Sequence, residues 1–216
     1  YADEWLTKFM FHFRWSFDKD ILNAKNKLTF LHGVTVDNKS KDQIADFISQ
    51  KQISRLWVVG SNEKTKDFIE QNYKSFLTKL DICLTNTPFL LGKRPSSCDF
   101  AIFGQLSQLV NFDPTPRSIA HQTSLRTVAW VGLMEDQSGL TIQEDGWMSE
   151  EDAVEQLTDF FKELSRGYIP ALIANHDAIE KGDKEWEAKI DNCLWKQKSF
   201  PYQSKCLKWI NDCLLY

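Results

Sequence analysis

Phe89-Leu90-Leu91-Gly92-Lys93-Arg94-Pro95-Ser96-Ser97-Cys98-Asp99-Phe100 is the stretch that decides the fold of this 216-residue chain. Gly92 and Pro95 interrupt the backbone. Ser96 and Asp99 then stand three residues apart, ahead of the apolar series Phe100, Phe103, Leu106, Leu109 and Val110. At that spacing the Ser96 hydroxyl accepts from the Asp99 amide while the Asp99 carboxylate accepts from the Ser96 amide. Two donors that a helix start leaves orphaned are thereby satisfied. The spacing predicts a helix with a fixed starting point and gives Asp99 a folding role rather than a catalytic one.

Upstream, Thr85-Asn86-Thr87-Pro88 ends a helix on which Ile69, Tyr73, Phe76, Leu80 and Cys83 recur at three and four residue steps. Gly60-Ser61-Asn62 marks a turn before it, and Leu56 to Val59 is too short and apolar to assign. Ile44, Phe47 and Ile48 give a short helix. Its start is predicted at Ser40 and Gln43 by their capping-box spacing, after a polar connection from Gly33 to Lys39. At the beginning of the chain Trp5, Phe9, Phe13, Phe17 and Ile21 recur every four positions, with Phe11, Trp15 and Leu22 on another side. A helix apolar on two faces is expected to be sandwiched between its own domain and a partner surface or pocket. His12 and Arg14 interleave with these stripes and need hydrogen-bond partners if buried. Phe9, His12, Phe13 and Arg14 are therefore the candidate substrate-binding residues. The planar fork of Arg14 suits either an acidic group of a ligand or Asp18 one turn on.

The central stretch resembles the glutathione transferase family, in the helical C-terminal domain. There a phrase of the form Phe-Leu-x-Gly, then Pro-Ser or Pro-Thr, then x-x-Asp opens the core helix. Phe89, Leu90, Leu91, Gly92, Arg94, Pro95, Ser96 and Asp99 match it. Phe100 to Leu109 and the later helix from Leu125 to Met134, with Trp130, are similar in order, so the resemblance covers roughly residues 1 to 140. Three phrases also resemble a bacterial subgroup with a C-terminal extension: Ala2-Asp3-Glu4-Trp5-Leu6, Asp113-Pro114-Thr115-Pro116, and Phe200-Pro201-Tyr202-Gln203-Ser204-Lys205-Cys206-Leu207.

The resemblance implies an all-α, glutathione-transferase C-terminal-like helical bundle over residues 1–147, and a helical and hairpin extension over 148–216. It also implies a thioredoxin-like domain, expected to lie outside this sequence, that binds glutathione and activates its thiol. The chain starts at Tyr1, within a helical pattern, in keeping with that expectation. The helical domain would supply the pocket for an apolar small-molecule electrophile and the contacts of a homodimer. The 216 residues alone would then lack the catalytic centre. The alternative is a noncatalytic transferase-fold module for protein-protein interaction or small-molecule binding.

In the extension, Ser149 and Asp152 repeat the capping-box spacing, and Ala153, Leu157, Phe160, Phe161, Leu164 and Tyr168 follow at helical steps. Gly167 and Pro170 should break this helix before Ala171 to Ile179 resumes it. Glu185 to Ile190 alternates polar and apolar residues, Asp191-Asn192 suits a tight turn, and Cys193 to Phe200 can pair back as a hairpin. Pro201 fits the first turn of a last helix, striped by Tyr202, Cys206, Trp209 and Cys213. Trp186, Trp195, Phe200, Tyr202 and Trp209 are expected to cover a face of the helical domain or reach into the substrate cleft.

Composition narrows the function classes. Hydrophobic residues make up 42% and eight tryptophans are present, enough for a substantial core. The net charge of −4 comes without a basic cluster, which argues against nucleic acid as a partner. No apolar run approaches the roughly eighteen residues of a membrane span. Five cysteines with no Cys-x-x-Cys pair point away from disulfides and towards a reducing, cytoplasmic setting. Cys206 and Cys213, even with Cys193 and His176, match no usual ligand spacing, so no metal is expected. Cys98 lies where a helix start can lower a thiol pKa, but the resemblance implies a small buried residue there.

Overall fold

The structure, a computed structural model, describes residues 1–31, 33–141 and 144–214. Its chain is all-α apart from one hairpin, as expected. A π-helical turn, Ala2–Leu6, runs into α1 (Thr7–Ser16), followed by α2 (Asp18–Leu31) and α3 (Asn38–Ile53). A 3-10 turn, Leu56–Val59, leads to α4 (Lys66–Asn86) and α5 (Ser97–Leu106). A second π turn, Ser107–Phe112, leads to α6 (Pro114–Thr123) and α7 (Leu125–Glu135). Next come α8 (Glu150–Arg166), α9 (Tyr168–Lys181), the antiparallel strands β1 (Glu185–Ile190) and β2 (Cys193–Lys198), and α10 (Pro201–Leu214).

The capping box is present at α5, and Asp99 does more than the spacing required. One carboxylate oxygen accepts from the Ser96 amide at 2.8 Å and the other from the Leu90 amide at 2.9 Å, so this buried side chain also holds the turn before the helix. Gly92 lies in that turn at φ 127°, where a Cβ would fall 2.4 Å from the Gly146 carbonyl oxygen. The close approach lets Lys93 and Met148 pair their amides with Gly146 and Leu91, and the chain ahead of α8 is clipped to the central phrase.

One hydrophobic core runs through the bundle and the hairpin. Trp5, Phe9 and Phe13 meet Tyr73, Phe76, Leu77 and Leu80 of α4, and Phe160, Tyr168, Trp186, Ile190 and Trp195 continue the same cluster. Each such fully buried side chain stabilises the fold by roughly 1.5–3 kcal/mol. A half-buried ion pair of Lys79 with Glu163, shared with Ser75, fastens α4 to α8.

Four expectations need correction. The first stripe does not run along one helix: Phe17 is extended at φ −117° and ψ 128°, and its carbonyl accepts the Asp20 and Ile21 amides to start α2. The four-residue rhythm survives the break because Phe17 still stacks on Phe13, ring centroids 5.7 Å apart. Ser40 does not cap α3. Asp37 does, accepting from the Lys39 and Ser40 amides, since a carboxylate at the dipole's positive end satisfies two orphan donors. Leu22 is exposed, so the second apolar side is not sandwiched along its length. On α10, Tyr202, Trp209 and Cys213 face outward, and Ser204 and Leu207 are the buried residues.

Candidate functional site

The four residues singled out on α1 enter three different environments. Phe9 and Phe13 are sealed in the core, both edge-on to Tyr73, with centroids 6.3 and 5.2 Å away. Arg14 is buried and its fork is filled. Nε and Nη2 donate to the Asp113 carboxylate at 2.8–3.1 Å, and Nη2 also donates to Gln108 Oε1 at 3.0 Å. The guanidinium lies 4.4 Å from the Phe112 ring centre. Its ion-pair partner is thus Asp113 at the start of α6, not Asp18, and no fork remains for a carboxylate of glutathione. Burial pushes the Asp113 carboxyl above its ordinary value, with the Arg14 hydrogen bond pulling the other way.

His12, by contrast, opens on a cavity. It is 2% exposed and lines a space of about 390 Å³ with Trp15, Phe17, Leu56, Ser61 and Glu70. The break at Phe17 and the left-handed Gly60, which ends the Leu56–Val59 turn, shape two sides of it. Hydroxyls of Ser61 and Ser16 converge on Nδ1 at 2.8 and 3.3 Å. Because a hydroxyl can donate or accept, the nearby Glu70 carboxylate is what favours the tautomer with Nδ1 accepting and the proton on Nε2. Nε2 is buried without a hydrogen-bond partner, and Glu70 Oε1 stands 3.6 Å from it. Such an unpaired group costs about 1–3 kcal/mol, which a ligand acceptor in the cavity would recover.

Burial, aided by Lys66, lowers the His12 pKa to about 4. The imidazole is neutral in the fold at neutral pH, and the sign of the consequence follows. Between pH 6.5 and 4 the unfolded chain takes up a proton that the folded chain refuses, so this contribution is present above pH 6.5 and lost on acidification. Urea titrations at pH 7 and 4.5 should show His12→Gln losing roughly 2–3 kcal/mol less than the parent over that interval. Equal losses would remove His12 from the titrating groups.

Lys8 was missed in the sequence, where it sits between Trp5 and Phe9 as one more polar residue of α1. It is 5% exposed, and Nζ donates to Gln197 Oε1 at 2.7 Å. The Trp5 and Trp195 ring centres lie 5.7 and 5.8 Å away. Cys98 has its thiol pushed up by burial and held 2.8 Å from Ser96 Oγ, so it stays a thiol. Cys83, beside an open groove of about 640 Å³ between α4 and α8, is raised to about 11 by the same cause. Neither is an activated nucleophile. Among the described residues no three His, Cys, Asp or Glu side chains gather as a metal site would require. Nor is any helix there long and apolar enough to cross a membrane.

Residues 46–127 match a family model described as the C-terminal domain of glutathione S-transferase. The matched segment includes Ser61, Glu70 and Asp113, whereas Lys8, His12 and Arg14 precede it. No curated protein and no solved structure matches the chain.

Proposed function

We propose that this chain, whose residues 46–127 match the C-terminal domain of glutathione S-transferase, is the helical part of a transferase-like protein that conjugates glutathione to an apolar electrophile. In this reading residues 1–147 shape the electrophile pocket and contribute contacts to a cytoplasmic homodimer, and residues 148–216 close over them. A thioredoxin-like domain holds glutathione and forms the thiolate. The observation that carries the reading is the His12 cavity, where Trp15, Phe17 and Leu56 form an apolar part of a lining that also holds Glu63, Lys66 and Glu70, around one unpaired ring nitrogen. The Nε2 proton would bind an oxygen of the electrophile, for instance a nitro or carbonyl group, and orient it. Phe9 and Phe13 would act from behind, fixing the position of α1.

The test uses the full-length protein, first by retention on immobilised glutathione and then by conjugation of 1-chloro-2,4-dinitrobenzene. His12→Gln should raise KM for the electrophile by about two- to tenfold, the worth of one neutral hydrogen bond, and leave KM for glutathione unchanged. A parent protein that neither binds glutathione nor turns over would overturn the catalytic reading. That outcome favours a noncatalytic interaction module, for which α10 offers an outward-facing pair, Tyr202 and Trp209, with centroids 6.1 Å apart.

A further inference from the structure

We propose that Lys8 is a nucleophilic amine, housed in its own cavity beside the Trp5 and Trp195 indoles, that forms an imine with a small uncharged aldehyde. The cavity measures about 240 Å³ and is lined by Asp3, Glu4, Lys8, Val59, Gln197 and Tyr202 among others. It shares no lining residue with the His12 cavity, so the inference stands independently of the reading above.

An ammonium group has three donors, and in this position the described side chains provide a single acceptor, Gln197 Oε1. No carboxylate among the described residues lies within ion-pair distance of Nζ, although Glu4 is one helical turn away. Burying a cation without a counter-ion is costly, and the neutral amine is the form such a site favours. Burial lowers the Lys8 pKa to about 7, with Glu4 opposing. Gln197 is itself buried and also accepts from Trp195 Nε1 at 3.1 Å, so its oxygen is fixed. It holds one N–H of Lys8 and leaves the nitrogen lone pair for the cavity.

A second observation points to a ligand. Glu4 Oε2 accepts from the Tyr168 hydroxyl at 2.6 Å, but Glu4 Oε1 is buried without a partner. Glu4 is among the residues lining the cavity, and its carboxylate can take and return a proton. In the reaction the Nζ lone pair adds to the carbonyl carbon, forming the N–C bond while the π electrons move to oxygen. Glu4 relays a proton from nitrogen to that oxygen, and the carbinolamine loses water as its C–O bond breaks, leaving the imine. Asp3 and Glu4 disfavour anionic carbonyl compounds by like-charge repulsion, hence the uncharged substrate. The charged or titratable groups around the amine are these two carboxylates on its own segment and the Tyr202 phenol on α10, with the Tyr168 hydroxyl and the Cys206 thiol set against Glu4. Leu56–Val59 brings none, and β2 brings the neutral Gln197.

The protein is incubated with butanal and sodium cyanoborohydride, and alkylated lysines are located by peptide mass spectrometry. At pH 7 Lys8 should be alkylated at least tenfold faster than the exposed Lys162 and Lys196. Its rate should level off by about pH 9, while theirs keep rising. Lys8→Met should abolish that product without slowing the others, and glyoxylate should label Lys8 more slowly than butanal. Alkylation of Lys8 no faster than the exposed lysines would overturn the proposal, and faster labelling by glyoxylate would overturn its choice of an uncharged substrate.

Discussion

Asp113→Ala should destabilise the protein by about 3–5 kcal/mol, because it leaves the Arg14 guanidinium buried with only Gln108 to accept from it. In a chain of this size such a loss lowers Tm by about 10 °C or more. Arg14→Met should cost a similar amount by stranding the Asp113 carboxylate, which among the described residues only Arg14 neutralises at ion-pair distance. The double variant Arg14→Met/Asp113→Ala should lose clearly less than the sum, since no buried charge is left over. Chemical denaturation of the four proteins gives the coupling. Additivity within about 0.5 kcal/mol would mean that the two groups do not act as a pair.

The pair matters because it fixes a corner on which the site depends. Asn23 on α2 donates to the Phe112 carbonyl at 2.7 Å, Asp20 accepts from the Thr115 amide at 2.7 Å, and the Tyr73 hydroxyl donates to the Pro116 carbonyl at 3.2 Å. Together with Arg14, these contacts lock the start of α6 against α1, α2 and α4. The orientation of α1, and so of His12, follows from that lock.

What the sequence made legible were contacts local in the chain. The Ser96–Asp99 box, the α4 stripe, the Ser149 cap and the turn at Asp191-Asn192 each follow from residues a few positions apart, where helix and hairpin geometry dictate the meeting. Arg14 with Asp113, His12 with Ser61 and Lys8 with Gln197 are separated by 99, 49 and 189 residues, and no periodicity encodes those partners. His12 and Arg14 drew notice as polar residues amid aromatic stripes, a sound signal for burial. Whether burial would leave an open donor or a filled fork depended on tertiary neighbours. The break at Phe17 was hidden for a different reason: one extended residue keeps the apolar rhythm intact while redirecting the chain.

Trp195→Ala should cost about 3–5 kcal/mol, the range for removing a buried aromatic side chain and leaving its space unfilled. The indole stacks on Trp5 at 5.5 Å with 28° between planes and meets the Phe68 ring edge-on at 6.0 Å. Against its other side lies Gly60, at φ 75°, where a Cβ would fall 2.3 Å from the ring. Only a residue without a side chain permits that backbone so close, which identifies the indole as the piece the Leu56–Val59 turn is built around. A two-stranded hairpin is marginal by itself, so β1 and β2 owe their order to Trp195, Trp186 and Ile190 entering the shared core. Unfolding of the variant should therefore stay a single transition, displaced as a whole to lower denaturant, with Trp195→Phe falling between it and the parent. A main transition left at the parent midpoint, preceded by separate melting of the hairpin, would show instead that the extension folds as its own unit and that the Trp5–Trp195 stack does not join it to the bundle.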